Sequence, residues 1–236
     1  MSCLTIVQNV CGRLRIAKPA AVWSSTDVQI IQMRDLLNEQ LIDLKNFPDN
    51  TWQALTIETS FSTAAANDQG AVPSDLNYII PMSMWNRTMN RQIWGPMDEQ
   101  QWQQELAGPT FTSPYYAMRL RGNHILLTPV PAAGNSVFYE YITNNCVYGG
   151  GGSTLNQTAF AADADTPAFP ENLLELGLRW MFSRANGFDY AQEYDAWMAL
   201  LLSTSARNKS AQRLSASERY PWNRRTPFIP LGNWNV

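Results

Sequence analysis

Residues 170–187 read PENLLELGLRWMFSRANG, and they decide the fold because helical spacing returns here after a long β-like interval. Pro170 suits a helix start, where its missing N–H costs nothing, and Asn186-Gly187 is a C-terminal stop. Leu174, Leu178, Met181 and Ala185 share one face. A second helix follows at once. Asp189 and Gln192 make a capping pattern, and Tyr190, Tyr194, Trp197 and Leu201 repeat in steps of three and four. So tight a turn predicts an antiparallel helical hairpin over residues 170–206.

The other end of the chain, residues 1–48, is helical too. Ser2 can cap a short helix carrying Leu4, Val7, Val10, Cys11 and Leu14, which Pro19 stops. Thr26 and Gln29 then form a capping box ahead of Ile30, Met33, Leu37, Leu41 and Leu44, with Pro48 past the end. Between the two helical regions, residues 49–145 alternate as strands do. WQALTIETSF sets Leu55, Ile57 and Thr59 against polar neighbours, and LNYIIPMSMW is edged by Pro81. YYAMRLR and HILLTP flank Gly122-Asn123, a two-residue hairpin signal, and SVFYEYIT follows. Five or six strands are expected. Residues 146–169, with glycine at 149–152, read as a flexible loop. The fold class is therefore α+β: a helical bundle from N- and C-terminal helix pairs, an inserted, mainly antiparallel β region, and an extended C-terminal arm over 207–236.

Within the β region, residues 84–102 read MWNRTMNRQIWGPMDEQQW. The stretch fits two short strands around a polar turn. After Gly95-Pro96, Asp98 and Gln101 cap a short helix over 99–106, with Trp102 and Leu106 facing inward. Asn86, Arg87, Asn90 and Arg91 occupy the turn and are candidate contacts to another chain.

The arm has its own chemistry. Six Lys and Arg and one acid, Glu218, lie between Arg207 and Arg225. Pro221, Pro227 and Pro230 forbid helix, whereas Tyr220, Trp222, Phe228, Ile229, Leu231 and Trp234 are too apolar to leave in water. Disordered tails lack aromatics, so this segment is expected to dock, on its own domain or on another chain.

Composition narrows the function. Hydrophobic residues make up 45% of 236, enough for a real core, while charged residues make up only 16%. A surface so poor in charge suits a subunit packed against neighbours. The net charge of −3 gives no global attraction to nucleic acid or membrane. Cys3, Cys11 and Cys146 match no metal spacing and read as buried thiols. No apolar run reaches membrane-spanning length, so a soluble protein made in a reducing cytoplasm is expected.

Catalytic patterns are missing. His124 is the one histidine, with no nucleophile elbow for it to serve. The glycine run is followed by no phosphate-loop lysine, and no cofactor is expected. The pairs Asp98/Glu99, Asp163/Asp165 and Glu171/Glu175 could supply acid and base to a glycosidase, but acids at helix starts serve the helix dipole anyway.

In order, KPAAVWSSTDVQIIQMRDLLNEQ, WQALTIETSF, the 84–102 stretch, RLRGNHILLTPVPAAGNSVFYEYIT and FPENLLELGLRWMFSRANGFDYAQEYDAW resemble the head-to-tail adaptor (connector) proteins of short-tailed and related bacteriophages. The resemblance covers the chain up to about Leu202; the glycine run and the long tail depart from it. It implies a homo-oligomeric ring, usually of twelve copies, bound beneath the portal protein at the head-tail junction of the virion. Such a ring extends the DNA channel, lets DNA pass without sequence-specific binding, and docks a tail nozzle or tail tube protein. It also implies that the C-terminal segment clasps the portal, which assigns portal binding to Tyr220, Trp222, Arg224, Arg225, Phe228, Ile229, Leu231 and Trp234. Two alternatives stay open. One is a peptidoglycan-degrading virion enzyme using Glu171, Glu175 or Glu140. The other is a DNA-binding terminus using Arg207, Lys209, Arg213, Arg219, Arg224 and Arg225.

Overall fold

A computed structural model describes residues 1–47, 51–107 and 115–208. Expectations for residues 209–236, the arm's aromatic and basic residues among them, lie outside the described residues. In chain order the elements are α1 (Cys3–Leu14), α2 (Val28–Lys45), a 3-10 turn (Gln53–Leu55), β1 (Thr56–Ser62), β2 (Asp68–Ala71), β3 (Leu76–Ile79), β4 (Trp85–Asn86), β5 (Arg91–Gln92) and α3 (Glu99–Ala107). They continue as β6 (Ala117–Arg121), β7 (His124–Thr128), β8 (Ser136–Thr143), β9 (Val147–Tyr148), a 3-10 turn (Gly149–Gly151), β10 (Leu155–Gln157), β11 (Thr166–Pro167), α4 (Glu171–Ala185) and α5 (Ala191–Asn208). Helices and antiparallel sheets make the chain α+β.

The chain divides into two compact units. One joins Met1–Leu55 to the residues from Asn144 to the end of α5, and the other is Thr56–Thr143.

In the helical unit, α4 packs against α1, α2 and α5. Ile6, Val7 and Val10 of α1 meet Ile30, Met33, Leu37 and Leu41 of α2 and Leu173, Leu174 and Leu178 of α4 in a core closed to solvent. Ser2 caps α1 by accepting a hydrogen bond from the Thr5 N–H. Asp27, not the expected Thr26, caps α2: its extended backbone lets Oδ1 accept from the Gln29 N–H at 2.9 Å. Ala185, expected on the buried face of α4, is exposed in the last turn of that helix. The α2–α4 crossing is close enough that a Cβ on Gly177 would stand 1.7 Å from the Gln40 amide nitrogen. Gln40 is itself buried and donates from Nε2 to the Leu173 carbonyl at 3.0 Å.

Residues 146–169, expected as a loop, hold a small sheet of order β10-β9-β11. Its ladders are too short to hold the segment alone. Asp165 does more. Its buried carboxylate accepts from the backbone N–H groups of Gly150, Ala161 and Ala162 at 2.8, 2.7 and 2.7 Å. Its carbonyl accepts from the Cys3 N–H at 2.8 Å, tying the segment to the start of α1.

In the β unit, β8 is the central strand. It pairs antiparallel with β1 from Thr56↔Ile142 to Ser62↔Ser136, and with β3 and β4 on its other edge. A second sheet has the order β2-β7-β6, so the described residues of the unit form eight strands where five or six were expected. Gly122 and Asn123 both have positive φ, 58° and 61°, as a type I′ turn between β6 and β7 requires. Met84, Ile93, Met118, Ile125, Leu127, Val137 and Tyr139 form the core. Trp102 of α3 is buried, but Leu106, expected inward, is about half exposed, one turn beyond the reach of that core.

Candidate functional site

The carboxylates singled out for acid–base chemistry serve the fold. Glu175 is buried against α1, where Oε1 accepts from Asn9 Nδ2 at 2.7 Å and Oε2 meets the Arg13 guanidinium at 3.2 Å. Glu171 pairs with the Met1 ammonium. Both line a small cleft with Lys18 and Asn172. Each carboxylate thus has its own cation, and neither is left as a free proton donor facing a free base. Glu140 is exposed on β8, in the other unit. Asp98 caps α3 through the Gln101 N–H at 2.7 Å, and Glu99 meets Arg119 at 3.2 Å.

Asp163 and Asp165 are backbone anchors. Asp163 Oδ1 accepts from the Val22 and Trp23 N–H groups at 2.9 and 3.1 Å. Burial would raise the Asp165 carboxyl, but its three backbone donors win and hold it below the usual carboxylate range. His124 Nδ1 sits 2.9 Å from both oxygens of Asp68 on the exposed β2–β7 edge. The N–H of Gly70, and then His124, hold Asp68 low.

The thiols are inert. Burial, with Asp163 adding to it, pushes Cys3 up to about 12, and burial pushes Cys146 to about 11. Tyr139 and Tyr141 rise to about 12 through burial beside Asp75. Among the described residues no group of three or more His, Cys, Asp or Glu is placed to hold a metal ion. No described helix is long and apolar enough to cross a membrane.

The β4–β5 turn is built to be rigid. Asn86 is fully buried, and its Oδ1 accepts from the Met89 N–H at 3.0 Å. Its side chain therefore braces the turn from inside. Thr88 Oγ1 accepts from the Ser136 N–H at 2.8 Å, and Asn90 takes φ 56°. Arg87 pairs with Glu58 and lays its guanidinium 3.6 Å above the Phe138 ring. Arg91 stacks 4.6 Å above Tyr115. Aromatic faces hold both arginines of the turn, Arg87 exposed and Arg91 half-buried.

The helical unit has two features that sequence reasoning passed over. A groove of about 660 Å3 is floored by Trp52 and Phe169, whose rings meet edge-on at 5.1 Å, and is walled by Ala54, Pro167 and Pro170, with Arg207 at its rim. At the other end of α5 an aromatic cluster surrounds Trp180, with Tyr194 at 5.2 Å and Trp197 at 5.4 Å. Beyond it, in the α4–α5 turn, Phe188 is 63% exposed. The signal for that residue was present: an aromatic directly after an Asn-Gly helix stop has no helix face to hide on.

The sequence model of a family described as SU10 adaptor protein matches residues 1–226. No individual curated protein matches the chain.

Proposed function

The chain belongs to the SU10 adaptor protein family, and from that premise we propose that copies of it form a ring joining the portal to the tail and extending the DNA channel. It is a structural adaptor of a bacteriophage virion. The observation that carries the proposal is the length of the family match, which spans both compact units and runs past α5 to residue 226. The first part of the C-terminal arm thus belongs to the family pattern. The ring, typically of twelve copies, sits beneath the portal at the head-tail junction. The arm clasps the portal through Tyr220, Trp222, Phe228, Ile229, Leu231 and Trp234, with Arg224 and Arg225 beside them. Arg87 and Arg91 face a neighbouring copy or a tail nozzle or tail tube protein. DNA passes without sequence-specific binding, as suits a chain of net charge −3.

The peptidoglycan-degrading alternative gains nothing from the geometry, because Glu171 and Glu175 are each neutralised by a structural cation. Native mass measurement of the purified protein, alone and mixed with portal, tests the reading. A closed ring in either sample is expected. A protein that stays monomeric in both would overturn it.

A further inference from the structure

The groove and the exposed phenylalanine lie at opposite ends of one helix. Phe188 sits in the turn before α5, and Thr204 and Arg207 at the far end of α5 line the groove. A helix of 18 residues spans about 27 Å. Phe188 therefore cannot reach the groove of its own subunit. The turn that carries it is fixed: Gly187 takes φ 73°, and the Phe188 N–H donates to the Ser183 carbonyl at 2.9 Å. An aromatic ring 63% exposed on a fixed turn is a knob. The groove is its complement, with a floor of Trp52 and Phe169 and walls of Ala54, Pro167 and Pro170. Charge is compatible with shape. Asp189 follows Phe188 and caps α5 by accepting from the Ala191 N–H, Arg207 at the groove rim has no carboxylate partner among the described residues, and Glu171, the acid that lines the groove, is paired with the Met1 ammonium.

We propose that Phe188 of one copy seats in the Trp52–Phe169 groove of the next, with Asp189 facing Arg207 across the contact. A knob and a socket at different places on one subunit make a heterologous, head-to-tail contact, the kind that generates rings when its rotation closes. The inference rests on the ring reading above and adds to it which surfaces meet.

The test is a disulfide between Phe188→Cys and Ala54→Cys in the full-length chain. Ala54 is exposed on the 3-10 turn beside Trp52, and the native cysteines are buried. A disulfide needs Cα atoms within about 7 Å, so a bond between these sites can form only between copies. The double variant is expected to give a ladder of linked oligomers on mild oxidation, and neither single variant to do so. Phe188→Asp is expected to lower the oligomer mass while leaving the helical circular dichroism unchanged. Rings that persist in Phe188→Asp, with no cross-linking in the double variant, would overturn this contact and leave the ring reading standing. A wild-type protein that never assembles would overturn both. If Ala54→Cys is shielded from a maleimide in a monomer, residues 209–236 of the same chain occupy the groove, and the proposal fails.

Discussion

Gly177 and Asp165 show how single residues set the tolerance of the helical unit. In the middle of a helix, Gly→Ala ordinarily stabilises by about 1 kcal/mol. At Gly177 the added methyl would stand 1.7 Å from Gln40 Nε2, and Gln40 is buried and bonded to the Leu173 carbonyl. The amide cannot swing out to water, so the methyl must separate α2 from α4 or strand a buried donor. Either costs roughly 2–3 kcal/mol, more than the propensity gain. Gly177→Ala should therefore lower stability in denaturant titration. A rise would show that the α2–α4 crossing is looser than this geometry. Asp165 carries a pH dependence of known sign. Its folded carboxyl is held low, so its contribution is fully present above the ordinary carboxylate pKa of about 4. It is lost as pH falls through the lower folded value. Asp165→Asn turns an amide NH2 toward backbone donors and should cost about 2–3 kcal/mol at pH 7. The gap between variant and wild type should narrow below about pH 4 in unfolding curves. A gap independent of pH would show that the charge is not what holds Gly150, Ala161 and Ala162.

At the scale of elements, the β4–β5 hairpin separates stability from recognition. Arg87 is half exposed, and its ion pair with Glu58 is an exposed one, so Arg87→Ala should cost at most about 1 kcal/mol. Loss of assembly in that variant, with unfolding unchanged, would mark Arg87 as a contact. Gly95 differs: it has φ 142°, and a Cβ there would lie 2.3 Å from the Met118 carbonyl oxygen. Gly95→Ala should unfold the β unit at lower denaturant, because that oxygen belongs to the backbone of β6 and accepts from the Met97 N–H. These elements also show what was legible in advance. The apolar stripe of α2, the Gly122-Asn123 turn, the β4–β5 hairpin and the two C-terminal helices carry local signals of period, cap and turn. β2 does not, because DQGA has no alternation and becomes a strand only by pairing with β7. The β9–β11 sheet was illegible for a related reason. One buried carboxylate gathers backbone donors at 150, 161 and 162, and no local pattern announces such a partnership. The knob and groove escaped notice likewise, since Trp52, Phe169 and Arg207 meet only after folding.

For the whole molecule, the decisive quantity is how linked arms add. If each copy in a ring offers residues 207–236 to the portal, the second and later arms bind within one particle, at an effective concentration set by the ring. Modest changes per arm then multiply into large changes in retention. Removing residues 209–236, which spares Arg207 and Asn208 of α5, should leave both compact units folded, because the buried side chains among the described residues all come from α5 or from earlier in the chain. The truncated protein should nevertheless fail to stay on the portal in co-sedimentation. Point variants divide the arm further. Trp222→Ala or Phe228→Ala removes an aromatic anchor, costing about 2 kcal/mol or more per arm where such a residue is a buried hot spot. Arg224→Ala removes a charge that, at a solvated rim, is worth about 1 kcal/mol or less. The aromatic variants should therefore release the ring at portal concentrations where Arg224→Ala still holds it, and raised salt should matter little. The reverse order, with steep salt sensitivity, would mean that the arm works through its charges, and the basic run from Arg207 to Arg225 would then be the surface that engages its partner.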